Sequence, residues 1–171
     1  VGVYVYNSSS ITTLTNSGTI SGLGRSTDGA GIAISDDSSI NTLTNTGLIS
    51  GSTSGGGDGT GANGVWLNTR SSITTLNNSG TIAGIAANDS AFGVNLNSAN
   101  NTITTLTNTG MITGSITGAG VDAFDIKNDS GVITTFHNQQ TGLTYSGTLQ
   151  DNYNTIINDS GYGQLFVSNE A

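Results

Sequence analysis

The chain has 171 residues, of which 33% are hydrophobic and 8% charged, and a formal net charge of −8 with neither cysteine nor proline. Three basic residues against eleven acidic ones argue against nucleic acid or an anionic membrane surface as partner, because both call for clustered Lys and Arg. Without cysteine there is no disulfide framework and no thiolate metal site, so packing and hydrogen bonds must hold the fold.

Length alone points to one domain. By composition, 26 glycines among abundant Ser, Thr and Asn would read as a low-complexity segment, yet the few apolar residues are strictly placed. No run approaches the apolar length of a membrane span, and no signal peptide precedes Val1. The opening "VGVYVYN" already reads as a strand, so a piece of a longer chain is the expectation.

That first element alternates apolar and other residues with period two, the pattern of a strand with one buried face. It returns as "GIAISD" at Gly31, "GVWLNT" at Gly64, "GVNLNS" at Gly93 and "AFDIKN" at Ala123. After each comes a second signature, first "SSITTLTNSGTISG" from Ser9 and then copies aligned on Ile40, Ile73, Ile103 and Ile133. Measured from Ile11, the periods are 29, 33, 30 and 30, a range that marks a solenoid, propeller or array. Each period offers three short strands, as at Val3 to Tyr6, Ile11 to Asn16 and Thr19 to Ser21, separated by Ser, Asn and Gly turns. Helix is excluded because Gly and β-branched residues recur without a 3.6-residue apolar stripe.

With no hairpin signal between the strands, the reading is an all-β fold, a single-stranded parallel β-helix (β-solenoid) of five to six rungs with three strands each. Residues 1–147 make five rungs of about 30 residues, and 148–171 make a last partial rung leading toward a further C-terminal region. Equivalent residues then stack about 4.8 Å apart, so five rungs span roughly 25 Å. The expected inward columns are Val3, Ile32, Val65, Val94, Phe124; Val5, Ile34, Leu67, Leu96, Ile126; Leu14, Leu43, Leu76, Leu106, Phe136; and Ile20, Ile49, Ile82, Ile112, Tyr145. At about 1.5 to 3 kcal/mol per buried large apolar side chain, such columns offset the ordering of short strands if neighbouring rungs cover one another. The facing of the Ile11 column is open, since "ITTL" breaks strict alternation.

One polar column is unbroken: Asn16, Asn45, Asn78, Asn108 and Asn138. An Asn before a Gly turn can bond the copies above and below and the local backbone, so this ladder is read as structural. Gly18, Gly47, Gly80 and Gly110 follow it and are expected to supply the positive φ of a tight corner. The longest insertion, Ser52 to Asn63, is expected to be the most mobile segment.

The recurring "ITTLTNSGTISG" resembles the passenger repeats of bacterial autotransporters, and the resemblance runs through nearly the whole chain. The tail "SGYGQLFVSNEA", Ser160 to Ala171, looks like the segment leading from the last passenger coils toward the C-terminal region. What the resemblance implies is a right-handed parallel β-helix, a rod displayed on the bacterial cell surface or secreted, anchored through an outer-membrane barrel elsewhere in the protein.

Signs of chemistry are sparse. "GGGDGTG" at Gly55 to Gly61 resembles a phosphate loop but lacks the Lys and the following helix, and as a calcium nonapeptide it is solitary. Asp36 with Asp37, Asp122 with Asp125, and Asp129 could bring carboxylates onto neighbouring rungs, as polysaccharide-cleaving β-helices do, but only Arg25, Arg70 and Lys127 are available to engage acidic sugars. His137, the single histidine, lacks relay partners. Outward positions of the first strand are Tyr4, Ala33, Trp66, Asn95 and Asp125, where exposed Tyr4 and Trp66 would stack on sugars or anchor a protein. Thr13, Thr42, Thr75, Thr105 and Thr135 form a second candidate contact column, flanked by Thr15, Thr44, Asn77, Thr107 and His137. Thr stacks well across strands for structural reasons alone, yet a flat Thr array also resembles the ice-binding face of insect antifreeze solenoids.

The expectation is therefore a non-enzymatic structural and adhesive rod with no catalytic residues, cofactor or metal, presenting loops to a host or neighbouring-cell surface protein or glycan. Nucleic acid and direct membrane insertion of this segment are not expected. Both ends expose strand edges without a capping helix, so copies added end to end into a filament are the first alternative. A Thr-array ice-binding solenoid and a polysaccharide-degrading β-helix are the others.

Overall fold

The structure, a computed structural model, describes residues 1–25, 28–55, 61–120, 122–147 and 149, and beyond them only the backbone of strands at 153–155, 157–158, 161–162 and 165–168. Every regular element among the described residues is a strand. The first turn holds β1 (Val3–Val5), β2 (Ser10–Asn16) and β3 (Thr19–Gly24), and the second β4 (Gly29–Ile34), β5 (Ser39–Asn45) and β6 (Leu48–Thr53). The third holds β7 (Ala62–Leu67), β8 (Ser72–Asn78) and β9 (Thr81–Ala86), and the fourth β10 (Ala91–Leu96), β11 (Thr102–Asn108) and β12 (Met111–Ile116). A fifth turn runs through β13 (Ala123–Asn128) and β14 (Val132–Asn138), then returns directly through β15 (Leu143–Gly147). The tail adds β16 (Tyr153–Thr155), β17 (Ile157–Asn158), β18 (Gly161–Tyr162) and β19 (Leu165–Ser168).

Equivalent strands pair in parallel into three sheets: β1-β4-β7-β10-β13-β15-β19, β2-β5-β8-β11-β14-β16 and β3-β6-β9-β12. Among the described strands only β17 and β18 pair antiparallel. This is the expected β-solenoid with three strands per turn, and about four turns are complete. The third strand is longer than its sequence suggested, reaching Gly24 rather than stopping at Ser21.

Stacking in register builds the core. Leu14, Leu43, Leu76, Leu106 and Phe136 lie over one another, as do Ile20, Ile49, Ile82 and Ile112. Ile40, Ile73 and Ile103 are fully buried, which answers the open question about their column. The chain bends between Ile and Leu: of the two intervening residues in the third turn, Thr74 is exposed and Thr75 half-buried, so both face out. First-turn Val3, Ile11, Leu14 and Ile20 are only partly buried against this core.

Two expected columns are corrected in the fifth turn. Ile126, not Phe124, stacks on Val94; Asn128, not Ile126, stacks on Leu96; and Phe124 lies on Phe92. Alternation alone cannot detect a slip of two residues, because the same side chains stay on the same faces. Tyr145 is likewise not above Ile112 but pairs with Ile126 in the first sheet. There it is fully buried, and Asn128 Nδ2 donates to its hydroxyl at 2.9 Å. Burial pushes the Tyr145 phenol above its ordinary value of 10.0, and the Asn128 donor opposes that shift.

Glycine columns set the shape of the coil. A Cβ on Gly51 would lie 2.0 Å from the Asn63 carbonyl oxygen, and one on Gly84 2.2 Å from that of Phe92, so the third and first sheets touch backbone to backbone. A Cβ on Gly64 or Gly93 would meet the Cγ2 of Ile82 or Ile112 at 2.5 Å from the opposite side. This waist separates the main core from a small cluster of Ala62, Ala86 and Ala91 with Ile116 packed against it.

The glycines after the Asn column also act by contact, which corrects the expectation of positive φ. Among the described glycines, only Gly61, Gly142 and Gly147 have positive φ. A Cβ on Gly47 would sit 2.1 Å from the Gly18 carbonyl oxygen, and one on Gly80 2.1 Å from that of Gly47. Left-handed backbone occurs instead at the corner between the first and second sheets, on Asn7 and Ser8 (φ 61 and 58), Asp36 and Asp37 (55 and 61), and Thr69 and Arg70 (48 and 55).

Candidate functional surfaces

The Asn column is a continuous buried ladder. Asn16 Nδ2 donates to Asn45 Oδ1 at 2.8 Å, Asn45 to Asn78 at 2.9 Å, Asn78 to Asn108 at 2.8 Å, and Asn108 to Asn138 at 3.1 Å. The same amides also reach backbone carbonyls two residues on, at Gly18, Gly47, Gly80 and Gln140, and those of Leu48, Thr81 and Met111 in the turn above. Asn45, Asn108 and Asn138 are fully buried, so these bonds satisfy groups that water cannot reach. The ladder's amides are thereby occupied within the coil.

The second sheet presents a regular outward face of stacked polar columns. Thr13, Thr42, Thr75, Thr105 and Thr135 are register partners in one column, beside Thr15, Thr44, Asn77, Thr107 and His137 in another. No Asp, Glu, Lys or Arg occurs in β2, β5, β8, β11 or β14. His137 thus stands on this face, stacked on Thr107, apart from the acids discussed below.

On the first sheet, the outward row is Tyr4, Ala33, Trp66, Asn95 and Lys127; Lys127 takes the place expected for Asp125 through the two-residue slip. Tyr4 is 51% exposed and stacks on Tyr6 with ring centroids 4.8 Å apart. Trp66 is half-buried rather than an open platform, and its Nε1 is buried without a hydrogen-bond partner. Its register neighbours Ala33 and Asn95 are buried too, although Asn95 Nδ2 donates to Asn63 Oδ1 at 2.8 Å. The Lys127 ammonium lies 4.9 Å from the centre of the Phe92 ring, a cation–π contact.

The acids do not converge. Asp37 receives a two-pronged contact from Arg70, Nε at 2.7 Å and Nη2 at 2.8 Å, and this exposed guanidinium holds the Asp37 carboxyl below its ordinary value of 3.8. Asp129 pairs with Lys127 at 3.6 Å. Asp125 accepts hydrogen bonds from the Gly114 and Thr144 amides. Among the described residues, no group of three or more His, Cys, Asp or Glu is placed to hold a metal ion. Residues 56–60, which carry most of "GGGDGTG" and the middle of the insertion expected to be mobile, lie outside the described residues. Compared with models of known protein families, with curated proteins and with solved structures, the chain matches none.

Proposed function

We propose that this chain is a stretch of non-enzymatic β-solenoid rod, exported to or released from a bacterial cell surface, whose task is to present surfaces and loops to partners. The observation that carries the reading is the distribution of polar chemistry. Ladder amides are spent on the coil itself, while charge is kept off the second sheet and placed at corners and on the first sheet. The autotransporter-like repeats supply the export route, and the partner is a surface protein or glycan of a host or neighbouring cell.

The test is binding of the labelled chain to intact cells and to a panel of neutral and acidic glycans. Three variants locate the contact: Thr42→Lys with Thr105→Lys on the flat face, Tyr4→Ala on the first sheet, and a shortened loop replacing residues 54–61. Binding lost in one variant supports the reading and names the surface. Absence of binding together with product release from a glycan overturns it in favour of a polysaccharide-degrading enzyme.

The unbroken, in-register Thr column also favours a second reading, an ice-binding face. Thermal hysteresis that disappears in the two-lysine variant would establish it, and none at high protein concentration would remove it.

A further inference from the structure

The fifth turn departs from the repeat at two glycine columns at once. Where the lower turns carry Gly18, Gly47, Gly80 and Gly110 two residues after the ladder Asn, the fifth carries Gln140 after Asn138. Where β4, β7 and β10 carry Gly31, Gly64 and Gly93, β13 carries Asp125. Among the described residues no third-sheet strand follows β14, so β12 ends the third sheet with an edge to which no described strand pairs.

Both replacements reach that edge. Gln140 Oε1 accepts the Ile112 N–H at 2.7 Å, and Gln140 Nε2 donates to the Ile112 carbonyl at 2.9 Å, so one side-chain amide makes the two bonds that two successive peptide units of a neighbouring parallel strand would make. Asn108 Nδ2 donates to the same Oε1 at 3.1 Å, which therefore stands where the Leu48, Thr81 and Met111 carbonyls stand above the lower ladder residues. Two residues on, the Gly114 N–H, which points to the same side as that of Ile112, is accepted by Asp125 Oδ1 at 3.1 Å. Asp125 is held in place by the Thr144 N–H on its Oδ2 at 2.8 Å.

We infer that Gln140 and Asp125 form a side-chain cap that closes the β12 edge, and that its removal turns this edge into an acceptor for a third-strand segment of a second copy of this chain. The occupant is fixed by the waist. A strand added to β12 must carry Ile over Ile112 and Gly over Gly114, because neighbouring backbone leaves no room for a Cβ at the glycine positions. The chain holds that pattern in Ile20 to Gly22, Ile49 to Gly51 and Ile82 to Gly84. An unprotected edge of this kind is a template for pairing, and a cap that satisfies it suppresses association. The expectation that the coil's ends are uncapped is thereby corrected at the third sheet: the cap is made of side chains, not of a helix. The inference is independent of the proposed adhesive role.

The test compares wild type with Gln140→Ala and with Gln140→Ala plus Asp125→Ala by residue-resolved hydrogen exchange and sedimentation velocity. Gln140→Glu serves as a milder variant, keeping the acceptor while losing the donor. The expected result is exchange at the Ile112 amide at least about tenfold faster in both variants that carry Gln140→Ala and a smaller change in Gln140→Glu, with Leu76 and Ile82 amides unchanged, and concentration-dependent association of the double variant beyond that of wild type. Unchanged protection at Ile112 in the Gln140→Ala variants, or a folded double variant that associates no more than wild type, overturns the inference.

Discussion

Two corners of the same coil are built on opposite principles. Between the first and second sheets the chain turns on paired left-handed residues such as Asp36 and Asp37 or Thr69 and Arg70, at the surface, with an exposed Arg70–Asp37 ion pair joining two turns. Between the second and third sheets it turns on a buried amide ladder and on glycines packed under 2.5 Å, as a Cβ would measure it, from the turn below. The first corner stores backbone strain and shows it to solvent; the second removes strain and spends its polar groups internally. The first corner is not without internal bonds, since buried Ser38, Ser71 and Asn101 tie its backbone together beneath the exposed residues, but it has no continuous ladder like that of the second.

The sharpest way to break that contrast is at the glycines of the buried corner. Gly80→Ala places a methyl against the Gly47 carbonyl, where backbone must move, and is expected to cost about 3 kcal/mol in denaturant unfolding. Next comes the ladder. Asn78→Ala breaks two ladder bonds and takes the side-chain donor from the Asn108 oxygen and the Gly80 and Met111 carbonyls, while the Asn45 amide keeps the Gly47 and Thr81 carbonyls; the expected loss is about 2 kcal/mol, whereas Asn16→Ala at the first turn breaks one ladder bond and costs about 1 kcal/mol.

At the surface corner the sign reverses. Thr69→Gly relieves a β-branched residue at φ 48 and is expected to stabilise by up to about 1 kcal/mol, read as a rise in the unfolding midpoint. Arg70→Ala has the smallest effect. Both partners are exposed, so the melting temperature should hardly change at neutral pH. Because the Asp37 carboxyl is held below 3.8, whatever the pair contributes is present above that pH and lost as pH falls through the lowered value, and raising salt should erase the difference between variant and wild type.

The periodicity made most of this legible. The repeat of Ile, Leu and Asn fixed the parallel columns, and Leu43 over Leu76 is the contact that reading requires. Three things were hidden for physical reasons. The fifth turn slipped by two residues because Phe124 and Ile126 satisfy the same alternation, and only the Gly93-to-Asp125 replacement marked the true alignment. The glycines after the ladder looked like turn glycines because sequence gives their spacing but not the distance to the turn below. Trp66 looked exposed because alternation names the outward face without showing that Ala33 and Asn95, beside it, are buried. A signal for the cap was present all the same: two glycine columns lost in one turn, each to a side chain able to accept a backbone N–H.

The central claim is that successive turns lie directly over one another in register, and cysteine cross-linking tests it in a chain that has no cysteine of its own. Thr75 and Thr105 are register partners on adjacent strands, so their Cα atoms stand about 4.8 Å apart, within disulfide range, while Thr75 and Thr135 are two strands apart at roughly 9.6 Å. Mild oxidation should join Thr75→Cys to Thr105→Cys rapidly within one molecule and leave the Thr75→Cys, Thr135→Cys pair unjoined. Equal cross-linking of the two pairs, or the reverse preference, would contradict the stacked coil.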